Sequence, residues 1–195
     1  MQYRDEGAGP PPLAPVRVLT RATLLQGVEH LVARDRRLAG IVERFGPPPL
    51  FARPRGFPTL AWIILEQQVS LGFTRQKARY VSGLAQRIVD GTLSLPRIAR
   101  LDDRDAERAL REGPGIGPWT AGVYLLMALR RPDVWPPGDL GLHKSLAEVR
   151  CMRAMPSSDT AATYALRWRP WRAVAARLLW HSYLSLRRKP AWGVP

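Results

Sequence analysis

Near the middle of the chain, Gly113-Pro114-Gly115-Ile116-Gly117 places three glycines in five residues between two helical patterns. This stretch limits the fold more than any other. Glycine admits positive φ and lets backbone amides approach a ligand without side-chain obstruction. Before it, Leu101, Ala106, Ala109 and Leu110 recur at helical spacing, with acidic residues in the first turn. After it, Pro118 suits the first position of a helix running through Ala121, Val123, Leu125, Leu126 and Leu129. The turn thus points free N–H groups at a positive helix end, where they can hold one backbone phosphate without reading sequence.

The rest of the chain reads as helix too. From about Thr20 to Phe45, apolar residues from Leu24 to Val42 recur at helical spacing as two helices or one broken helix, ended by Gly46-Pro47-Pro48-Pro49. The basic loop Arg53-Pro54-Arg55-Gly56 precedes a helix over about Pro58–Val69 that is apolar nearly all round and ends abruptly on Glu66-Gln67-Gln68-Val69-Ser70. Another spans about Gly72–Val89. Leu140, Leu142, Leu146 and Val149 suggest a helix with Asp139 at its N-cap, a position aspartate favours for structural reasons alone. Ser157-Ser158-Asp159 begins a helix to about Arg167, and Pro170 opens a last long helix carrying Trp180. There is no sustained alternation and no Asn-Gly or Asp-Gly hairpin signal, so the expected class is all-α.

Charge narrows the partners. Lys+Arg number 30 against 16 Asp+Glu, a net +14, and only Lys77, Lys144 and Lys189 are lysines. So arginine-rich a surface favours a polyanion; RNA binding would give the same balance. No run approaches the roughly 20 apolar residues of a membrane helix, and the N-terminus has no apolar signal-peptide core. The single cysteine, Cys151, excludes an internal disulfide, suggests a reducing compartment and excludes a four-cysteine iron–sulfur cluster. His30, His143 and His181 show no metal-ligand spacing.

Three blocks carry a resemblance. Pro114-Gly115-Ile116-Gly117 followed by Trp119-Thr120-Ala121 resembles the helix-hairpin-helix of the DNA glycosylase superfamily, whose catalytic aspartate lies a short way downstream; here Asp139 follows Gly117 by 22 residues. Ile64-Leu65-Glu66-Gln67-Gln68-Val69-Ser70 is similar to the segment with which AlkA-type 3-methyladenine glycosylases enter DNA at the lesion. Arg167-Trp168-Arg169-Pro170-Trp171-Arg172 resembles their late Arg-Trp-x-Pro-Trp-Arg turn. Together the blocks span roughly residues 57–184.

The resemblance implies a two-lobed helical bundle with the active site between the lobes and without the extra β-rich domain of the larger relatives. Residues 1–15 would be a loose leader and 16–195 the glycosylase domain, one lobe mainly 58–150 and the other from the N- and C-terminal helices. It implies Asp139 as the catalytic carboxylate, because breaking an N-glycosidic bond develops positive charge on the sugar. Trp119, Trp180, Val123 and Trp62 would form the base pocket, Val123 replacing a tyrosine of the larger enzymes. Gly113, Gly115, Ile116, Gly117, Thr120, Gln67, Gln68, Ser70 and Lys144 would meet DNA, with Gln68 filling the gap left by the extruded nucleotide. Relatives that also cut the backbone use a lysine just after the hairpin; Trp119 stands there, so Schiff-base strand cleavage is not expected.

The implied function is a monofunctional glycosylase removing 3-methyladenine, and also 7-methylguanine and related adducts, from double-stranded DNA in base excision repair. It would need no cofactor and no metal beyond a monovalent cation at the hairpin backbone. It would act as a cytoplasmic, nucleoid-associated monomer upstream of abasic-site repair enzymes. A glycosylase for oxidised or deaminated bases, or a non-catalytic DNA-binding module, are the alternatives.

Overall fold

A computed structural model of the chain describes residues 18–67 and 74–187. Gln68, Ser70 and the expected leader lie outside the described residues. Among those residues there are ten α-helices, one 3-10 turn and no strand. The helices are α1 (Arg21–Val32), α2 (Arg36–Phe45), α3 (Phe57–Glu66), α4 (Arg75–Val89), α5 (Leu95–Ile98), α6 (Asp103–Arg111), α7 (Pro118–Met127), α8 (Leu140–Arg150), α9 (Ser158–Ala165) and α10 (Arg172–Arg187). The all-α expectation therefore holds.

Local chemistry sets most boundaries. Thr20, Asp35, Thr74, Ser94, Asp102, Asp139 and Ser157 each accept a backbone N–H from the first turn of the helix they precede. Such caps satisfy donors that a helix end otherwise leaves orphaned and contribute about 1 kcal/mol each. Two expected boundaries move. The helix expected to reach Val69 stops at Glu66, because Gln67 turns out of helical geometry at φ −57°, ψ 136°. The last helix begins at Arg172 rather than Pro170, where Asp133 accepts from the Arg172 backbone N–H at 3.1 Å and its guanidinium Nε at 2.9 Å.

Two sets of helices pack around a common core. α3 lies against α4 and α7, and α6 against α7 and α5; α10 lies against α1, α2 and α8, and α8 against α2 and α9. Although α8 falls within the 58–150 stretch, it packs with α10 and α2 rather than with the α3–α7 set. The core contains Leu60, Ile63, Ile64, Leu84 and Leu110 from the first set and Leu24, Leu38, Leu142, Leu146 and Leu178 from the second. Each such side chain contributes roughly 1.5–3 kcal/mol when fully buried. Trp168, Trp171 and Tyr124 are all buried.

Polar ties join distant segments. Asp35 caps α2 while accepting from Trp168 Nε1 at 2.9 Å and pairing with Arg150, so one carboxylate links α2, α8 and the turn before α10. Gly122 allows α7 to approach the Pro136 backbone, since a Cβ there would stand 2.9 Å from Pro136 Cα. That contact seats the 134–139 segment beside α7 and brings Asp139 close to the start of that helix.

Candidate active site

The hairpin closes by spending two of its amides internally. Gly113 N–H donates to Leu110 O at 3.0 Å and Ile116 N–H to Gly113 O at 3.2 Å. This corrects the expectation that Gly113 and Ile116 offer free amides; the Ile116 side chain is buried as well. Among the described residues, no acceptor meets the N–H groups of Gly115, Gly117, Trp119 or Thr120 at the uncapped start of α7. Gly115 is indispensable to the turn: its φ is 74°, and a Cβ would come within 2.7 Å of Tyr80 Cβ and Cγ. Gly117, by contrast, has φ −86° and open space where a Cβ would stand.

Gln67 braces this hairpin instead of projecting from the protein. Its amide donates to Gly115 O at 2.8 Å and to Thr120 Oγ1 at 2.5 Å. The side chains of Gln67 and Thr120 are thus engaged with each other, and Thr120 is buried. The expected DNA contacts from those two side chains become a positioning role, and Thr120 retains only its backbone N–H for a ligand. At Gly115 O one lone pair already serves Gln67; a cation there would share that oxygen.

Asp139 caps α8 at the mouth of the cleft. Its Oδ1 accepts from Leu142 N at 2.8 Å and from Trp180 Nε1 at 3.0 Å; its Oδ2 accepts from Trp119 Nε1 at 2.9 Å. The capping role and the wider one coexist. Three donors and a helix N-terminus fix the carboxylate, and Oδ2 keeps more unused acceptor capacity than Oδ1. Oδ2 is therefore the oxygen best placed to accept from a water or to face a developing positive charge. The indole N–H groups of Trp119 and Trp180 point at this carboxylate. Their tie to Asp139 was not legible from spacing.

Beside Asp139 lies a cavity of about 300 Å³, walled by Trp62, Trp119, Val123, Trp180, Phe51 and Tyr183. That is the lower end of the roughly 300–1,000 Å³ range of small-ligand sites. All four expected pocket residues line it. Phe51 and Tyr183 were missed, Phe51 because it is a lone aromatic in a proline-rich loop without periodicity. A second, more open cleft of about 1030 Å³ runs past Gly115, Gly117, Trp119 and Asp139. Glu66, Trp119, Asp139 and Gly141 border both, so the cavity opens directly onto the hairpin groove.

Two titratable neighbours follow Asp139 on α8. Lys144 is exposed five residues beyond Asp139. His143 is buried and, among the described residues, its Nε2 has no partner; burial, partly opposed by the Asp139 carboxylate, lowers its pKa below the usual imidazole value. Among the described residues no group of three or more His, Cys, Asp or Glu side chains is placed to hold a metal ion.

The chain is similar in sequence and in fold to known DNA glycosylases. Over 107 residues the chain is 35% identical to a DNA-3-methyladenine glycosylase of Bacillus subtilis, covering 55% of this chain and 35% of that protein. The chain thus matches about a third of that relative's length. The fold is similar to Schizosaccharomyces pombe 3-methyladenine DNA glycosylase in complex with abasic DNA, with TM-score 0.70 and 20% identity over 80% of this chain and 95% of that one. It is likewise similar to a Bacillus halodurans DNA-3-methyladenine glycosidase, with TM-score 0.67 and 22% identity over 82% and 90% of the two chains. The profile described as HhH-GPD superfamily base excision DNA repair protein matches residues 35–172. With the hairpin, its glutamine brace and the downstream aspartate all inside that span, the chain belongs to the HhH-GPD superfamily of base excision DNA repair proteins.

Proposed function

We propose that this protein is a monofunctional DNA glycosylase that removes alkylated bases, 3-methyladenine foremost, from double-stranded DNA and leaves an abasic site. One observation carries the reading: a carboxylate held by two indole N–H groups stands where an aromatic cavity opens onto a hairpin groove with free amides. The named activities of the relatives support the choice of base. The setting is the cytoplasm, at the nucleoid, with abasic-site repair enzymes acting next.

The free amides of Gly115, Gly117, Trp119 and Thr120 hold one backbone phosphate, and Lys144 adds a charge contact. The damaged nucleotide leaves the stack and its base enters the cavity. An alkylated base carrying positive charge is attracted by the faces of Trp119 and Trp180 more than a neutral base is. As the C1′–N bond breaks, its electron pair goes to the base and neutralises that charge. The positive charge passes to the sugar, where Asp139 Oδ2 stabilises it and orients water. Water forms the new C1′–O bond and gives its proton to Asp139, then to solvent. Trp119 has no amine for a Schiff base, so the strand stays intact.

The test is release of free base from methylated duplex DNA by the wild type and by Asp139→Asn, with binding to abasic-site DNA measured alongside. Loss of 3-methyladenine release in the variant with binding retained is the expected result. Absence of release by the wild type despite tight binding would favour another lesion class or a binding module.

A further inference from the structure

Arg177, in the middle of α10, is fully buried, and its three hydrogen bonds go to backbone carbonyls alone: Nε to Leu50 O at 2.7 Å, Nη1 to Ala173 O at 2.9 Å and Nη2 to Leu126 O at 2.6 Å. Among the described residues no carboxylate pairs with it, and burial pushes its pKa down to about 9. A buried cation without a counter-ion is a poor device for stability, because an apolar side chain of similar volume commonly does as well or better. Its placement asks for another reason.

The residue after Leu50 is Phe51, a cavity-lining aromatic in the left-handed region at φ 49°. A bulky residue persists there only when its surroundings overdetermine it. Its ring meets Trp180 edge-on, with centroids 6.2 Å apart, and Trp180 in turn donates to Asp139. The same loop is tied to α7 twice more, by Arg53 N–H to Met127 O at 3.0 Å and Gly56 N–H to Tyr124 Oη at 3.0 Å. Leu126 O belongs to the last turn of α7, where carbonyls carry the negative end of the helix dipole and suit a guanidinium.

We propose that Arg177 is a positioning residue for the base cavity, bridging the Leu50 carbonyl to the end of α7 so that Phe51 is held as a wall against Trp180. Phe51 then acts as a specificity-determining contact, setting how closely a planar base can enter beside Trp180. This rests on the proposed reading that the cavity receives a base.

The experiment replaces the four phenylalanines with 4-fluorophenylalanine, assigns the Phe51 fluorine signal with Phe51→Leu, and compares wild type with Arg177→Met in the free protein. In Arg177→Met the Phe51 signal is expected to move toward the solvent-exposed position while the others hold. Release of 3-methyladenine should fall by roughly ten- to hundredfold, as displaced site geometry commonly costs, with abasic-DNA binding within about twofold. Phe51→Ala should lower 3-methyladenine release likewise, and the double variant should be no slower than the slower single one. An unmoved Phe51 signal, or a loss of thermal stability with release per folded molecule unchanged, overturns the proposal. If Arg177→Met does not fold, Arg177→Lys, which keeps a cation but loses the forked donor set, is read the same way. A wild type that releases no base refutes the proposed function, while the fluorine signal still decides the positioning role.

Discussion

Gly115 and Gly117 sit two residues apart in one hairpin, and the structure gives them opposite consequences. In Gly115→Ala the new side chain must adopt φ 74° and would meet Tyr80 Cβ and Cγ at 2.7 Å. The left-handed conformation costs about 1–2 kcal/mol and overpacking about 1–3 kcal/mol more, so a loss of roughly 2–5 kcal/mol in unfolding free energy is expected. In Gly117→Ala the backbone is already in an ordinary extended conformation and nothing lies within 4 Å of the new Cβ. The weaker N-cap and the stiffer unfolded chain largely offset each other, leaving stability within about 1 kcal/mol of wild type. Its Cβ enters the cleft where a phosphate would meet the free amides. Losing one charge-assisted hydrogen bond, about 1.5–3 kcal/mol, weakens abasic-DNA binding by roughly ten- to hundredfold. No charge is removed, so the slope of log K against log salt stays unchanged. Urea unfolding and fluorescence-anisotropy titration at several salt concentrations measure both quantities. Wild-type affinity in Gly117→Ala, or destabilisation equal to that of Gly115→Ala, would refute the assignment of the open amides to phosphate.

Trp119→Phe and Trp180→Phe each keep an aromatic wall but remove one donor to Asp139; each should slow base release by about ten- to hundredfold, from a lost bond to a charged group of about 1.5–3 kcal/mol, with little change in abasic-DNA binding. Single-turnover release assays check this, and an unchanged rate would show that the remaining donors fix the carboxylate without that indole. Lys144→Ala, an exposed site, should lower the salt slope by about 0.9 if it neutralises one phosphate; an unchanged slope places Lys144 away from the DNA. Burial lowers the His143 pKa, so the unfolded chain takes up the proton first and stability falls as pH drops from about 6.5 toward the lower folded value. His143→Gln should flatten that limb of the unfolding curve, although His30, lowered by burial and by Arg34, leaves part of it in place.

Much of the fold is written in local sequence. The caps at Asp35, Asp102, Asp139 and Ser157, the glycines of the hairpin and the proline after it each act through neighbours within a few residues, so helix starts and the turn can be read directly. Asp139 was legible locally as an N-cap, while its place in the site, and those of Trp119 and Trp180, were implied by the resemblance of the hairpin and its spacing to the glycosylase motif. Two boundaries were not legible. Asp133 captures the start of α10 from 39 residues away, and Gln67 leaves helical geometry to bond Gly115 and Thr120, 48 and 53 residues on. What those tryptophans do with their N–H groups also depends on tertiary structure, since Asp139 receives them from α7 and α10 at once. The same holds for Phe51, Arg177 and the closure of the cavity. Periodicity and capping report what a residue does to its own helix. Which carbonyl, carboxylate or ring it meets across the core is set only when distant segments pack, because hydrogen bonds and aromatic contacts act over a few ångströms of space without regard to separation along the chain.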